Sequence, residues 1–235
     1  MPKKISNQIV NFYELPKVQK FIRKAPNPNY ENHKIKLPFR SAILGSSGSG
    51  KTHTLCNIIY QFGKTFNHIY IYTKAEETLY DFLTEQLDDS LLTIVYNDLD
   101  RLRQFKDDEY YGQSLIIFDD MVNEKDQRVI QELYIRGRKL NISLIYLSQS
   151  YYKIPKIIRG QISYIFIIKI AGLKDLRLIL SEYELTANKI QLSNMYKFVC
   201  KSGNFGHFFL IDLEAEQDNT YRKNFDIILN PNEFN

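Results

Sequence analysis

Apolar residues along this chain alternate between short unbroken runs and stretches with helical spacing. Arg40 to Leu44 opens the first run, and a Gly/Ser turn follows at once. Leu55, Ile58, Ile59 and Phe62 then recur three or four residues apart with Gly63 as a stop, which predicts a helix. The rhythm repeats with a strand over Ile69–Tyr72, a helix face of Leu79, Phe82, Leu83 and Leu87, and a strand over Leu91–Tyr96. A charged, loosely helical stretch runs on through Arg103. Leu115–Phe118 is the next strand and leads into Asp119 and Asp120, with Val129, Ile130, Leu133 and Leu140 marking the helix behind it. Ile142–Leu147 and Tyr164–Ile170 are further strands, and Leu173, Leu176, Leu180 and Tyr183 a further helix. Strands that are apolar throughout, alternating with amphipathic helices, predict an α/β fold whose mostly parallel sheet is covered on both faces. Near the end, Tyr196–Lys201 and Gly206–Leu213 flank Ser202, Gly203 and Asn204 and read as a β-hairpin added to the sheet.

Residues 1–37, interrupted by Pro16, Pro26 and Pro28, read as a leader, residues 38–213 as the domain, and residues 214–235 as a tail. No internal repeat or linker divides the domain. Its size suits one hydrophobic core: 235 residues, 44% hydrophobic and 25% charged, a globular composition. A net charge of +4 permits a polyanionic partner without requiring one. Cys56 and Cys200 are the only cysteines and cluster with no histidine, which argues against a zinc site or disulfide framework and fits a reducing compartment. No apolar run approaches the roughly 18 residues of a membrane span, and no apolar signal core follows the charged start. The expectation is an intracellular, soluble chain without membrane insertion.

The chemistry concentrates in Gly45-Ser46-Ser47-Gly48-Ser49-Gly50-Lys51-Thr52, a full match to the phosphate-binding loop pattern. Glycines at 45, 48 and 50 let the backbone curl so that successive N–H groups face phosphate oxygens. Lys51 reaches the β- and γ-phosphates, the Thr52 hydroxyl ligates Mg²⁺, and the helix that begins here turns its positive end to the anion. A strand before the loop and a helix after it supply the setting that this chemistry needs.

Asp119 ends an apolar strand and is the candidate for the Mg²⁺ shell, and Asp120 is the candidate for polarising the attacking water. Asp120 is one methylene shorter than the Glu that many ring ATPases carry, which leaves tight binding with slow hydrolysis open. Ile142–Leu147 runs into Ser148, Gln149 and Ser150, and Gln149 reaches the γ-phosphate if its strand lies beside that of Asp119. Arg136, Arg138 and Lys139 close one helix, and Lys153, Lys156 and Arg159 follow the next strand. Cations there complement a helix dipole in one reading and provide an arginine finger or DNA-phosphate contacts in the other.

Together these segments resemble the FtsK–HerA superfamily, and within it the poxvirus-type genome-packaging ATPases of large DNA viruses and virophages. The resemblance is carried by Leu37–Arg40, His68–Thr73, Leu115–Asp120, Arg136–Ile142 and the narrower run Ser148–Pro155 leading to Arg159 and Gly160. In bacterial DNA pumps a Gly-Arg segment before a strand ending in Thr-Gln holds the relation that Gly137, Arg138 and Gln149 hold here. The resemblance implies a RecA-like P-loop core, ATP and Mg²⁺ as ligands, and a homo-oligomeric ring, often of six subunits. It further implies ATP-driven movement of double-stranded DNA into a capsid, with capsid protein or a portal-like vertex as partner. The setting would be a viral factory in the host cytoplasm or the virion. Arg136, Arg138 and Arg159 all lie in plausible segments for a trans-acting arginine, with Arg138 and Arg159 the leading candidates. Two other readings stand beside this one: a plasmid or cellular translocase or helicase of the same superfamily, and a nucleotide-gated capsid assembly factor with little turnover.

Overall fold

A computed structural model describes residues 10–21, 25–99, 102, 113–200 and 205–235. Nine strands form one mixed sheet: β1 (Arg40–Leu44), β2 (His68–Thr73), β3 (Leu92–Tyr96), β4 (Ser114–Asp119), β5 (Ile142–Ser148), β6 (Tyr164–Ile167), β7 (Phe209–Asp212), β8 (Tyr221–Lys223) and β9 (Ile227–Ile228). Their spatial order is β3-β2-β4-β5-β1-β6-β7-β8-β9. The pairs from β3 to β6 are parallel, and the pairs from β6 to β9 are antiparallel.

Five helices of nine residues or more cover the described sheet: α1 (Lys51–Phe62), α2 (Thr78–Gln86), α3 (Arg128–Arg136), α4 (Leu173–Glu182) and α5 (Lys189–Cys200). Successive residues of each strand serve opposite faces, which explains why the central strands are mostly apolar on both faces. In β4, Leu115 and Ile117 join Leu55, Ile58 and Phe62 of α1 and Tyr80 and Leu83 of α2 in one core. Ile116 and Phe118 join Ile130 and Tyr134 of α3, Ile179 of α4 and Met195 of α5 in the other. A sheet sandwiched in this way is the α/β architecture that the hydrophobic pattern predicts.

Three elements differ from the sequence reading. The stretch Tyr196–Cys200, expected as a strand, is the last part of α5, where Leu192, Met195, Tyr196 and Val199 are buried at helical spacing. The antiparallel addition is real but is built from β7, β8 and β9, so it draws on residues beyond 213. On α2 the buried residues are Tyr80 and Leu83, while Phe82 is exposed and Leu87 is the C-cap. A tyrosine ring is apolar enough for the core when its hydroxyl finds a partner. Most of the charged stretch through Arg103 lies outside the described residues.

Described residues before 38 and after 213 pack onto the same sheet and helices. Ile35 is buried beside Phe39, and Asn29 donates to the Phe62 carbonyl at 2.8 Å, closing the end of α1. His33 is buried on the Phe62 ring, 4.0 Å between centroids, and its Nδ1 accepts from the Ile35 N–H at 3.0 Å. Arg222 of β8 donates to Asp212 at 2.6 Å and to the Phe225 carbonyl at 2.7 Å, and a longer bond reaches the carbonyl of His33 at 3.3 Å. A buried guanidinium thus ties His33, near the start of the described chain, to β7 and β8.

Candidate nucleotide site

β1, β4 and β5 are neighbours in register, with Leu44 opposite Ser148 and Asp119 opposite Leu147. Their C-terminal ends therefore come to one edge of the sheet, where open parallel sheets bind ligands. The loop after β1, the two acids at the end of β4 and the glutamine after β5 all open there into a single cavity of about 370 Å³. Ser47, Gly48, Gly50, Lys51, Thr52, Asp119, Asp120 and Gln149 are among its lining residues.

Hydrogen bonds fix the loop on both sides: Gly45 N–H donates to Ser148 O at 3.2 Å, and Ser46 N–H to Lys169 O at 3.0 Å. The Ser46 hydroxyl accepts from Ala171 N–H at 2.7 Å. Gly48 and Gly50 have φ of +68° and +94°, a region that costs other residues strain. A Cβ on Gly45 would collide with the Ser49 hydroxyl, whose oxygen is buried with no partner. An orphaned hydroxyl inside a glycine-lined curl, at the positive end of a twelve-residue helix, fits the phosphate groups of a nucleotide.

Lys51 Nζ donates to Ser46 O at 3.3 Å, across the mouth of the curl. Burial lowers its ammonium pKa, while Asp119, Asp120 and Glu77 act in the opposite direction. Burial also raises the carboxyl of Asp119; the hydrogen bond from Tyr80 opposes this, Asp120 adds to it, and Lys51 works against it. Tyr80 Oη donates to Asp119 Oδ2 at 2.7 Å. Asp120 follows in the left-handed region at φ +54°, which acidic residues tolerate, and turns the chain into a short 3₁₀ segment, Met121–Asn123. That turn leaves Asp120 exposed beside the buried end of β4. For Mg²⁺ the donors at hand are the hard oxygens of Thr52 and Asp119, a set that suits an ion shared with substrate phosphates and not caged by protein alone. No group of three or more His, Cys, Asp or Glu side chains placed to hold a metal ion occurs among the described residues.

The two arginines lie elsewhere. Arg138 sits before β5, at the opposite end of that strand from Gln149, exposed and 3.9 Å from Glu214. Arg159 donates to Glu182 at 3.1 Å and stacks on Tyr151 at 4.9 Å. Neither lines the cavity of its own chain, where Lys51 and Lys74 are the lysines among the described lining residues. Sequence reasoning missed Glu77, Tyr80, His53 and Phe205. The first two flank the start of α2, and the last lies in the loop before β7.

Fold and loop together define a P-loop NTPase domain. The chain belongs to the Poxvirus A32 protein family, whose model matches residues 29–213. It is 29% identical over 142 residues to the DNA packaging protein OPG160 of variola virus and of vaccinia virus, covering 55% of this chain and 53% of each relative. The aligned part is thus about half the length of those curated relatives. Among solved structures it resembles the genome packaging NTPase B204 of Sulfolobus turreted icosahedral virus 2, with a TM-score of 0.59 and 18% identity over 83% of this chain and all of that one. EssC ATPases 2 and 3 of Geobacillus thermodenitrificans match at a TM-score of 0.55 and 14% identity, over 83% of this chain and 40% of theirs. At these identities the likeness is one of fold.

Proposed function

We propose that this chain is an ATP-hydrolysing motor that moves double-stranded DNA into a viral capsid. The observation that carries the reading is the meeting of the Gly45–Thr52 loop, Asp119, Asp120 and Gln149 in one cavity at one sheet edge. The relatives named as DNA packaging proteins, and the packaging NTPase with the same fold, support the step from nucleotide site to DNA motor.

In this reading the loop amides and Lys51 hold the phosphates, and the Thr52 hydroxyl and Asp119 would hold Mg²⁺. Held by those two oxygens, the ion would supply neutralisation of phosphate charge. Asp120 orients the attacking water, and Gln149 contacts the γ-phosphate. Phosphoryl transfer depends mostly on positioning and charge stabilisation, and these groups provide both. Among the described residues no arginine lines the cavity, and in this reading a finger comes from a neighbouring subunit of a homo-oligomeric ring. Arg138, with a largely exposed head, is freer for that role than Arg159, which Glu182 and Tyr151 hold. Capsid protein or a portal-like vertex is the expected docking partner of such a ring.

Filter binding of linear duplexes at rising salt tests the DNA half of the reading. A motor that grips backbone phosphates binds unrelated sequences alike and weakens with a log–log slope of about −0.9 per phosphate neutralised. A flat salt response, or strong preference for one sequence, counts against it.

A further inference from the structure

The wall of the nucleotide cavity nearest the start of α1 is formed by His53 and Phe205. These two residues also line a second cavity of about 370 Å³, together with Asn57, Gln61 and His207. They are the residues common to both spaces, and the second space includes neither the β4 acids nor Gln149. A nucleotide with its γ-phosphate at Asp119, Asp120 and Gln149 extends away from them, and this exit is available to it.

The Phe205 ring is 70% exposed, yet its position is tightly set. It lies over the backbone of Gly50, 3.1 Å from where a Cβ on that residue would sit, and its centroid is 5.0 Å from that of the His53 ring. Gly206, at φ +92°, makes the approach possible, because a Cβ there would come within 2.8 Å of His53 Nε2. Asn57 holds His53 in turn, donating to its carbonyl at 2.9 Å and lying 3.1 Å from its Nε2. The result is an open aromatic face at the rim of the phosphate loop, buttressed from behind.

We propose that Phe205, backed by His53, is the platform on which the base of the bound nucleotide stacks. The inference rests on the reading of the Gly45–Thr52 loop as a nucleotide site. An aromatic face receives any base by stacking; in the adjoining space the Asn57 side-chain oxygen can accept at its edge, and the Gln61 amide can donate or accept. The loop thus takes the phosphates and Phe205 the base, two contacts made by parts of the chain far apart in sequence.

The test uses the full chain with Mg-ATP and, as a ligand without a base, Mg-tripolyphosphate. Phe205→Ala is expected to weaken ATP binding about tenfold, a size typical of losing one base–aromatic stack, while tripolyphosphate binding stays the same. Since the chain contains no tryptophan, Phe205→Trp supplies a single reporter. Its emission should change on adding ATP and stay unmoved by tripolyphosphate. Unaltered ATP affinity in Phe205→Ala, together with unaltered Trp emission when ATP binds through Lys51, would overturn the platform and leave the loop reading intact. Failure of the unsubstituted chain to bind ATP at all would remove the loop reading and the platform with it.

Discussion

Tyr80 and Asp119 are joined across two layers of the molecule: the hydroxyl of a fully buried helix residue donates to the carboxylate that ends β4, at 2.7 Å. The bond holds one oxygen of Asp119 in place and leaves the other for the ligand side. It also favours the ionised carboxylate against the burial that disfavours it.

Tyr80→Phe keeps the ring in the core and removes only that donor. Asp119 then holds Mg²⁺ less well, and turnover at limiting magnesium should fall about tenfold, near 1.4 kcal/mol. Excess magnesium should restore part of it. Phosphate release across a magnesium titration is the readout, and an unchanged magnesium dependence would reduce Tyr80 to a packing residue.

Lys51 and Asp120 line one cavity, and the proposed function gives them separable tasks. Lys51→Ala should weaken nucleotide binding, whereas Asp120→Asn should bind nucleotide normally and lose turnover. Fluorescent-nucleotide binding beside phosphate release separates the two. Hydrolysis by Lys51→Ala at the rate of the unsubstituted chain would contradict the assignment.

His33 sets an acid limit on stability. Burial, then the nearby charges of Arg222 and Lys34, push its pKa down from 6.5 to about 4. The folded state therefore stays unprotonated where the unfolded chain takes up a proton. Stability from this group is fully present above pH 6.5 and is lost progressively as pH falls to about 4. The slope in that window approaches ~1.4 kcal/mol per pH unit, for a total on the order of 3 kcal/mol. Urea unfolding at intervals from pH 8 to pH 4 measures it (both limits roughly bracket the ordinary and shifted values). His33→Gln, which retains an acceptor for the Ile35 N–H, should show a shallower slope by close to one proton; an identical slope would assign the acid sensitivity elsewhere.

What the sequence disclosed follows from how local each signal is. The phosphate loop and the two acids are readable because their chemistry is contained in a few consecutive residues, and β4 and β5 because burial on both faces leaves unbroken apolar runs in them. That Gln149 reaches the loop depends on register between β1 and β5, which periodicity does not contain. Tyr80 and Phe205 meet the site only through tertiary packing, so nothing near them in the chain marks them. The end of α5 was readable in principle. Leu192, Met195, Tyr196 and Val199 have helical spacing, but the aromatic and β-branched residues of Tyr196–Cys200 resemble a strand when taken alone. Arg138 illustrates the reverse limit, since proximity in sequence to β5 does not say which end of the strand a side chain serves.

ATP turnover measured with and without linear double-stranded DNA tests the central claim most directly. A packaging motor should hydrolyse ATP slowly alone and several-fold faster with duplex, with the stimulation lost in Lys51→Ala and reduced by salt that screens phosphate contacts. Turnover that is the same with and without DNA, under salt conditions in which the duplex is bound, would contradict the account.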